Sequence, residues 1–175
     1  FMDIPGENAL NIMSSNEYLT RVNLMDAANP STDTPINLGK KVLVVGGGNT
    51  AMDSCRTAKR LGADVTLVYR RSEAEMPARI EEVKHAKEEG IKFLTLHNPK
   101  EYLTDENGAV KAAVLDVMQL GEPDQSGRRR PETTGETITI ECDQVIVAVG
   151  VSPNPLVPKS IEGLTLGRKN TIAVN

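Results

Sequence analysis

Residues 42–51 read VLVVGGGNTA. The four aliphatic residues at the start are typical of a parallel strand that is buried on both faces. A helical pattern begins at about Asn49 and extends to Leu61, where Gly62 ends it. A glycine turn between a buried strand and a helix places the positive end of the helix dipole beside bound phosphate. The stretch therefore predicts the first strand, turn and helix of a nucleotide-binding α/β domain.

The glycines of this turn fit the G-x-G-x-x-A form of the dinucleotide fingerprint through Gly46, Gly48 and Ala51. Gly46 permits the tight turn, Gly48 leaves room for a pyrophosphate, and the small Ala51 lets the helix pack closely on the strand. A loop that only requires positive φ angles would also use glycine. The strand and helix on either side, within a unit of about 30 residues, favour dinucleotide binding. No Lys-Ser or Lys-Thr pair follows, which excludes a triphosphate-binding loop.

Two arginines follow the second predicted strand, residues 65–69. A site that prefers NAD usually has an acidic residue here to bind the ribose 2′-OH, but this chain has Arg70 and Arg71. Asp64 lies at the other end of the strand and Glu73 lies beyond it. Two guanidinium groups suit a 2′-phosphate and predict a preference for NADPH over NADH of at least roughly tenfold. The alternative is a solvated arginine pair on a loop.

The pattern after the arginines continues the α/β order and then changes. A helix is predicted over residues 78–89, with Pro77 suited to its first turn, and a third strand over residues 91–95. Strand, helix, strand, helix and strand in this order wind into a parallel sheet. An antiparallel meander is predicted next. Its parts are strands at 102–104 and 110–118 around Asn107-Gly108, a polar loop at 121–135, and a strand at 137–141.

A last buried strand, residues 144–149, ends at Gly150. Before the first strand, one helix is predicted from about Ser14, because Ser14 and Glu17 have the spacing of a capping box. The expected divisions are a linker and helix at 1–39, the dinucleotide-binding domain at 40–152, and a C-terminal segment at 153–175. Since the chain opens on Phe1 and stops just after a strand-like stretch at 171–174, both ends are expected to be cut from a longer protein.

Composition excludes several classes of partner. The net charge of −4 argues against binding to nucleic acid or to an anionic membrane surface. No apolar run approaches the about 20 residues that span a bilayer, and no signal-peptide pattern is present, so a cytoplasmic protein is expected.

Cys55 and Cys142 are expected to stay reduced, and no metal site is expected. His85 and His97 are interpreted as ordinary surface or strand-end residues. Residues 128–130, three arginines, are interpreted as either a docking surface or a solvated loop.

Ten segments of the chain resemble one family, the small (beta) subunit of NADPH-dependent glutamate synthase. The matching segments are residues 4–8, 19–25, 44–53, 69–72, 75–78, 85–90, 120–124, 126–131, 148–150 and 153–155. The resemblance implies a Rossmann-like three-layer α/β fold, with a parallel sheet and an antiparallel β-meander, as in flavoproteins with two dinucleotide-binding domains. In that family the NADP-binding domain is inserted into an FAD-binding domain, and a further cysteine-rich domain holds iron–sulfur clusters.

The resemblance also implies roles for individual residues. The pyrophosphate would face Gly46, Gly48, Asn49, Thr50 and Ala51. The 2′-phosphate would face Arg70 and Arg71, and the segment from Ala148 to Gly150 would close over the nicotinamide. Hydride would pass from NADPH to FAD, and electrons would continue through iron–sulfur clusters to a large subunit that forms glutamate.

This chain lacks a second glycine fingerprint and a cysteine cluster, so it is expected to bind NADPH without completing electron transfer. No catalytic residue is assigned, because hydride transfer depends on positioning more than on an acid or base. Two alternatives remain open. One is the same domain of a ferredoxin–NADP transhydrogenase or a dihydropyrimidine-dehydrogenase-like enzyme, and the other is a free-standing NADP-binding module.

Overall fold

The computed structural model describes residues 2–34, 36–123, 127, 129–150, 156–161, 163–167 and 171–173. Eight strands and four α-helices are formed within these ranges, together with a π-helical turn at Thr20–Leu24 and a 3₁₀ turn at Glu73–Glu75. The strands are β1 (Ile12–Ser14), β2 (Lys41–Val45), β3 (Asp64–Tyr69), β4 (Lys92–Thr95), β5 (His97–Thr104), β6 (Val110–Pro123), β7 (Arg129–Glu141) and β8 (Gln144–Val147). The helices are α1 (Ser15–Leu19), α2 (Asn49–Arg60), α3 (Ile80–Glu88) and α4 (Leu156–Ser160).

Five strands form a parallel sheet in the order β1-β8-β2-β3-β4. In its centre, Leu43 of β2 pairs with Val145 of β8, and Val44 pairs with Leu67 of β3. Because all five strands run the same way, their carboxyl ends meet at one edge of the sheet. The glycine turn leaves β2 at that edge.

The sheet is covered on both faces. Val42 and Val44 belong to the core cluster that packs against α1, α2 and α3. Leu43 and Val45 point the other way, into the cluster formed with the antiparallel sheet β5-β6-β7. These strands are apolar on both faces because each face has its own core. The predicted three-layer architecture, with a parallel sheet and an antiparallel meander, is confirmed.

The segment 1–39 contributes to this core more than its predicted role as a linker and helix indicates. β1 was not predicted, since three residues give too short a pattern to recognise, yet it pairs in parallel with β8. The predicted start of the helix is close to the observed one, because Ser14 is the N-cap of α1 and its Oγ accepts from the amide N–H of Glu17 (3.2 Å). Tyr18 is buried against α2.

The predicted start of α3, the helix after β3, is wrong. Pro77 is not in a first helical turn, because α3 begins at Ile80 with Arg79 as its N-cap. Two tertiary hydrogen bonds hold the preceding residues: the amide N–H of Ala78 donates to Gly47 O (3.0 Å), and that of Arg79 donates to Asn49 Oδ1 (2.9 Å). The segment before α3 is therefore held against the glycine turn in a non-helical conformation.

The predicted polar loop at 121–135 is also wrong over most of its length. β6 continues to Pro123 and β7 begins at Arg129, and the two strands pair there, with Leu120 opposite Pro131. The Arg129 guanidinium strengthens the pairing by donating to the carbonyls of Leu120 (3.2 Å) and Gly121 (3.0 Å). Arg128 lies outside the described residues.

The remaining predicted strands are all formed, but some of their ends are shifted. β5 begins at His97, earlier than predicted, and β8 ends two residues before the predicted 149. Near the C-terminus, Ile172 forms one bridge with Leu166, and the rest of the predicted strand-like stretch lies outside the described residues. Among the described residues, none of the helices has the length and apolar composition of a membrane-spanning segment.

An ion-pair cluster joins α2 to the end of α3. Glu89 accepts from Arg56 Nε (2.8 Å) and from Arg60 Nη2 (2.8 Å), and Arg56 also bonds Glu82 (2.7 Å). The side chains of Arg56 and Glu89 are only 21% and 25% exposed, so solvent screens this pair less than an open surface pair. The hydrogen bond from Arg60, and then that from Arg56, lower the pKa of Glu89.

Replacing Glu89 with glutamine is expected to lower the free energy of unfolding at pH 7 by about 1 kcal/mol, because the charge-assisted hydrogen bonds from Arg56 and Arg60 are weakened. A carboxylate with a lowered pKa in the folded state stabilises the fold above its unfolded pKa of about 4.3 and loses this effect as pH falls. Urea unfolding at pH 7 and pH 3 should therefore show a larger difference between wild type and variant at pH 7 than at pH 3. Glu88→Gln is the control, since Glu88 is 58% exposed and 3.7 Å from Lys84. Equal losses in both variants would contradict the assignment.

Candidate nucleotide-binding cleft

A cleft of about 1090 Å³ lies at the carboxyl edge of the parallel sheet. The ends of β2, β3 and β8 form its floor, and the glycine turn crosses its centre. On the helix side it is bounded by Thr50 of α2 and by the β1–α1 junction. On the meander side it is bounded by residues 2 and 4 and by the start of β5. Ligands of open α/β sheets bind at this edge, where the strand order reverses.

Gly46 ties three strands together at the centre of the cleft. Its φ of +140° belongs to a region that favours glycine, and a Cβ there would lie 2.5 Å from Ala148 O. The Gly46 amide N–H donates to Val68 O (2.9 Å), and the Ala148 amide N–H donates to Val45 O (2.7 Å). The first glycine of the fingerprint is therefore required by packing.

Gly48 has the opposite environment. A Cβ at this position would meet nothing within 4 Å, so its surface is open to the cleft. Gly48 is the N-cap of α2 and provides no side-chain cap. In the described part of the chain, the amide N–H groups of Asn49 and Thr50 donate to no other residue. Free N–H groups at the positive end of a twelve-residue helix suit a pyrophosphate.

Two of the residues predicted to face the pyrophosphate do not line the cleft. The Asn49 side-chain oxygen accepts from the amide N–H of Arg79, and Ala51 is fully buried in the helix-side core. Gly46, Gly48 and Thr50 do line it. Direct contact of Asn49 and Ala51 with a nucleotide stays a prediction, while the structure places their side chains where they hold α3 and α2 in position.

Arg70 and Arg71 follow β3 and both line the cleft. Within the described ranges, no carboxylate lies within 4 Å of either guanidinium. The Nε of Arg71 is buried and has no hydrogen-bond partner there. A buried donor without an acceptor costs about 1–3 kcal/mol. The pair is therefore suited to an anionic ligand that would supply the missing acceptor.

The segment from Ala148 to Gly150 lines the opposite end of the cleft, after β8. Val149 is half exposed, and Gly150 has a φ of +99°. Since β2 lies between β8 and β3, the glycine turn separates this segment from the arginines. The order along the edge is an apolar wall, a helix N-terminus and two cations. A reduced dinucleotide phosphate has a matching order of nicotinamide, pyrophosphate and 2′-phosphate.

Several residues that line the cleft were not identified from the sequence. Ser14, Ser15 and Asn16 reach it because β1 joins the sheet beside β8, a pairing that leaves no local signal. His97 and Asn98 reach it because β5 starts at the same edge.

In the described part of the chain, no three His, Cys, Asp or Glu side chains come together as a metal site. Cys55 and Cys142 are buried free thiols, and burial raises the pKa of Cys142 to about 12.

The sheet, the meander and the cleft together define an FAD/NAD(P)-binding flavoprotein oxidoreductase fold. The sequence pattern of the pyridine nucleotide-disulphide oxidoreductase family matches residues 1–175. The chain belongs to this family.

Two relatives have names that identify them as NADPH-dependent oxidoreductases. The chain is 48% identical over 141 residues to the NADPH-Fe(3+) oxidoreductase subunit beta of Geobacter sulfurreducens, covering 79% of this chain and 21% of that protein. It is 36% identical over 173 residues to the glutamate synthase [NADPH] small chain of Halomonas elongata, covering 96% of this chain and 36% of that protein. The chain thus spans about a fifth to about a third of the length of these relatives. Glutamate synthase small chains are among the relatives, but the family is broader than that enzyme.

Solved structures share the fold at low identity. FprA of Mycobacterium tuberculosis, in complex with NADPH, superposes with a TM-score of 0.76 at 18% identity, covering 100% of this chain and 51% of that one. The thioredoxin reductase of T. acidophilum superposes with a TM-score of 0.71 at 19% identity, covering 100% of this chain and 48% of that one.

Replacing Gly46 with alanine is expected to affect stability differently from replacing Gly48 with alanine. Gly46→Ala should lower the free energy of unfolding by at least about 2 kcal/mol, since a Cβ meets the Ala148 carbonyl at a φ that only glycine adopts easily. Gly48→Ala should cost at most about 1 kcal/mol, because the position is open and only a cap is changed. Urea unfolding of both variants tests this. Similar losses would mean that the two glycines do not have separate roles.

Proposed function

We propose that the chain is the NADP(H)-binding domain of a flavin-dependent oxidoreductase. The observation that carries the proposal is the pair of cleft arginines, which have no carboxylate within 4 Å in the described part of the chain and include a buried Nε without an acceptor. A site for NAD would have an acidic residue at this strand end instead. The family supports the oxidoreductase class.

The residues of the cleft would divide the work of holding the cofactor. Arg70 and Arg71 would bind the 2′-phosphate with charge-assisted hydrogen bonds. The free N–H groups at the start of α2, next to the open face of Gly48, would bind the pyrophosphate. The segment from Ala148 to Gly150 would exclude water on one side of the nicotinamide. When bound, NADPH supplies the hydride that the enzyme delivers to its flavin.

None of these residues needs to act as an acid or base. A hydride donor and acceptor react when they are held about 3–3.5 Å apart in the right orientation. The contribution of this chain would be orientation, with the 2′-phosphate as one fixed point and the pyrophosphate as the other. In the described ranges, the ionisable residues that line the cleft are Tyr69, Arg70, Arg71 and His97, and no carboxylate is among them.

The FAD site, the iron–sulfur clusters and the electron acceptor belong to the proposed parent protein. The length of the relatives supports further domains in the same chain. Glutamate synthesis with a large subunit is the downstream reaction favoured by the resemblance of segments such as residues 126–131 and by the small-chain relatives. The higher identity to the NADPH-Fe(3+) oxidoreductase subunit supports a second candidate, reduction of ferric iron.

The preference for the 2′-phosphate can be measured by calorimetry on the chain itself. Wild type is expected to bind NADPH at least roughly tenfold more tightly than NADH, and Arg70→Ala with Arg71→Ala should remove that preference while leaving NADH affinity unchanged. The control is Lys84→Ala with Arg130→Ala, which removes two positive charges from exposed positions outside the cleft lining. If wild type bound both nucleotides equally, or the control lost as much affinity, the 2′-phosphate site would be assigned wrongly.

The downstream reaction can be distinguished in the full-length protein with its co-purified subunits. NADPH oxidation coupled to glutamate formation would support the glutamate synthase candidate. NADPH oxidation coupled to Fe(II) formation, without glutamate, would overturn that candidate in favour of ferric reduction. Both products can be measured in the same preparation.

A further inference from the structure

The turn between β4 and β5 is hydrogen-bonded to the segment after β3 that contains Arg70 and Arg71. Thr95 pairs with Tyr69 at the end of the parallel sheet. Leu96 then turns the chain with a φ of +56°, an uncommon value for a residue other than glycine. Its amide N–H donates to Arg71 O (3.0 Å), and its carbonyl accepts from the Met118 amide N–H (2.8 Å). The residue that follows is therefore held beside the arginines.

That residue is His97, and its ring is fixed in one orientation. His97 is half-buried and lines the same cleft as Arg70 and Arg71. Its Nδ1 lies 2.7 Å from Thr95 O. Because a carbonyl can only accept, Nδ1 must carry the hydrogen. In the described part of the chain, Nε2 has no hydrogen-bond partner, and it is accessible to solvent rather than buried. Nε2 is thus open to a ligand.

The charges around His97 favour an anion. Arg70 and Arg71 contribute two positive charges from the segment after β3, with no carboxylate within 4 Å in the described ranges. On β6, the Asp116 carboxylate lies 3.6 Å from Lys100. A phosphate that entered between the arginines and His97 would meet hydrogen-bond donors from two elements, the segment after β3 and the start of β5.

We propose that His97 is a third ligand of the 2′-phosphate of NADP(H), with Nε2–H donating to a phosphate oxygen, and that it adds to selectivity over NAD(H). The proposal rests on the proposed function and extends it to a residue on the meander. The dianionic 2′-phosphate has only acceptor oxygens. Since Nδ1–H donates to Thr95 O, a bond from Nε2 to this dianion requires hydrogen on both nitrogens, so the ring binds it as the imidazolium. The lone phosphate of the 2′ position is the part of the cofactor that differs between NADP and NAD, so His97 should distinguish the two.

Nitrogen-15 NMR of the histidine rings tests this on the unmodified chain. The protein has two histidines, and His85 lies exposed on α3, outside the cleft lining, as an internal control. Adenosine 2′,5′-bisphosphate should move the His97 ring signals to imidazolium positions, with Nε2 protonated. Adenosine 5′-monophosphate, which lacks only the 2′-phosphate, should not do so, and the His85 signals should stay unchanged. Equal shifts with both probes, or no shift on saturation with the bisphosphate, would overturn the proposal.

Affinity gives an independent readout. His97→Gln should weaken NADPH binding by about tenfold, the loss of one charge-assisted hydrogen bond, and change NADH binding less than twofold. His85→Gln is the matched control and should bind both nucleotides as wild type does. Equal weakening of NADPH and NADH would overturn the proposal. If NADPH bound tightly and depended on Arg70 and Arg71 but not on His97, only this inference would fail. If wild type bound neither nucleotide, the proposed function would fail as well.

Discussion

The close approach of Gly46 to Ala148 is the constraint on which the rest of the site depends. With no room for a Cβ between Gly46 and the Ala148 carbonyl, the end of β2 and the end of β8 meet at van der Waals distance. The hydrogen bonds from Gly46 to Val68 and from Ala148 to Val45 add the end of β3 to the same junction. Three parallel strands therefore end in fixed positions, and each of them carries a part of the cleft.

The chain uses its arginines in two different ways. Arg56 and Arg60 are matched with Glu82 and Glu89, and these pairs join two helices away from the cleft. Arg70 and Arg71 have no such carboxylates in the described ranges, although the chain is acidic overall. The buried Nε of Arg71, which has no acceptor in the described part of the chain, destabilises the free protein, and a bound anion would remove that cost. Selection for stability alone would not favour this arrangement.

The segment after the arginines is held against the glycine turn from the helix side. The Tyr69 ring occupies the space where a side chain at residue 47 would lie, and its hydroxyl donates to Glu75 O (2.9 Å). The Ala78 amide bonds Gly47 and the Arg79 amide bonds Asn49. These contacts connect the segment after β3 to the glycine turn, the two regions that bind phosphate in the proposed function. Asn49 contributes to this connection through its hydrogen bond from Arg79. The same contacts delay the start of α3 and explain why its predicted start was wrong.

Local sequence patterns predicted the features that depend on neighbouring residues: the strand–glycine–helix unit at 42–61, the arginines after β3, the alternation of strands and helices, and the meander. These follow from backbone preferences and periodicity over a few positions. Four features became visible only in the three-dimensional structure: the pairing of β1 with β8, the extension of β6 and β7 through a polar stretch, the hydrogen bond between Asn49 and Arg79, and the position of His97 beside Arg71. The ends of β6 and β7 pair with nearby residues, but these residues are polar and lack a strand pattern. The pairing of β1, the bond to Asn49 and the position of His97 each depend on a hydrogen-bond partner distant in sequence. Periodicity carries no information about such partners.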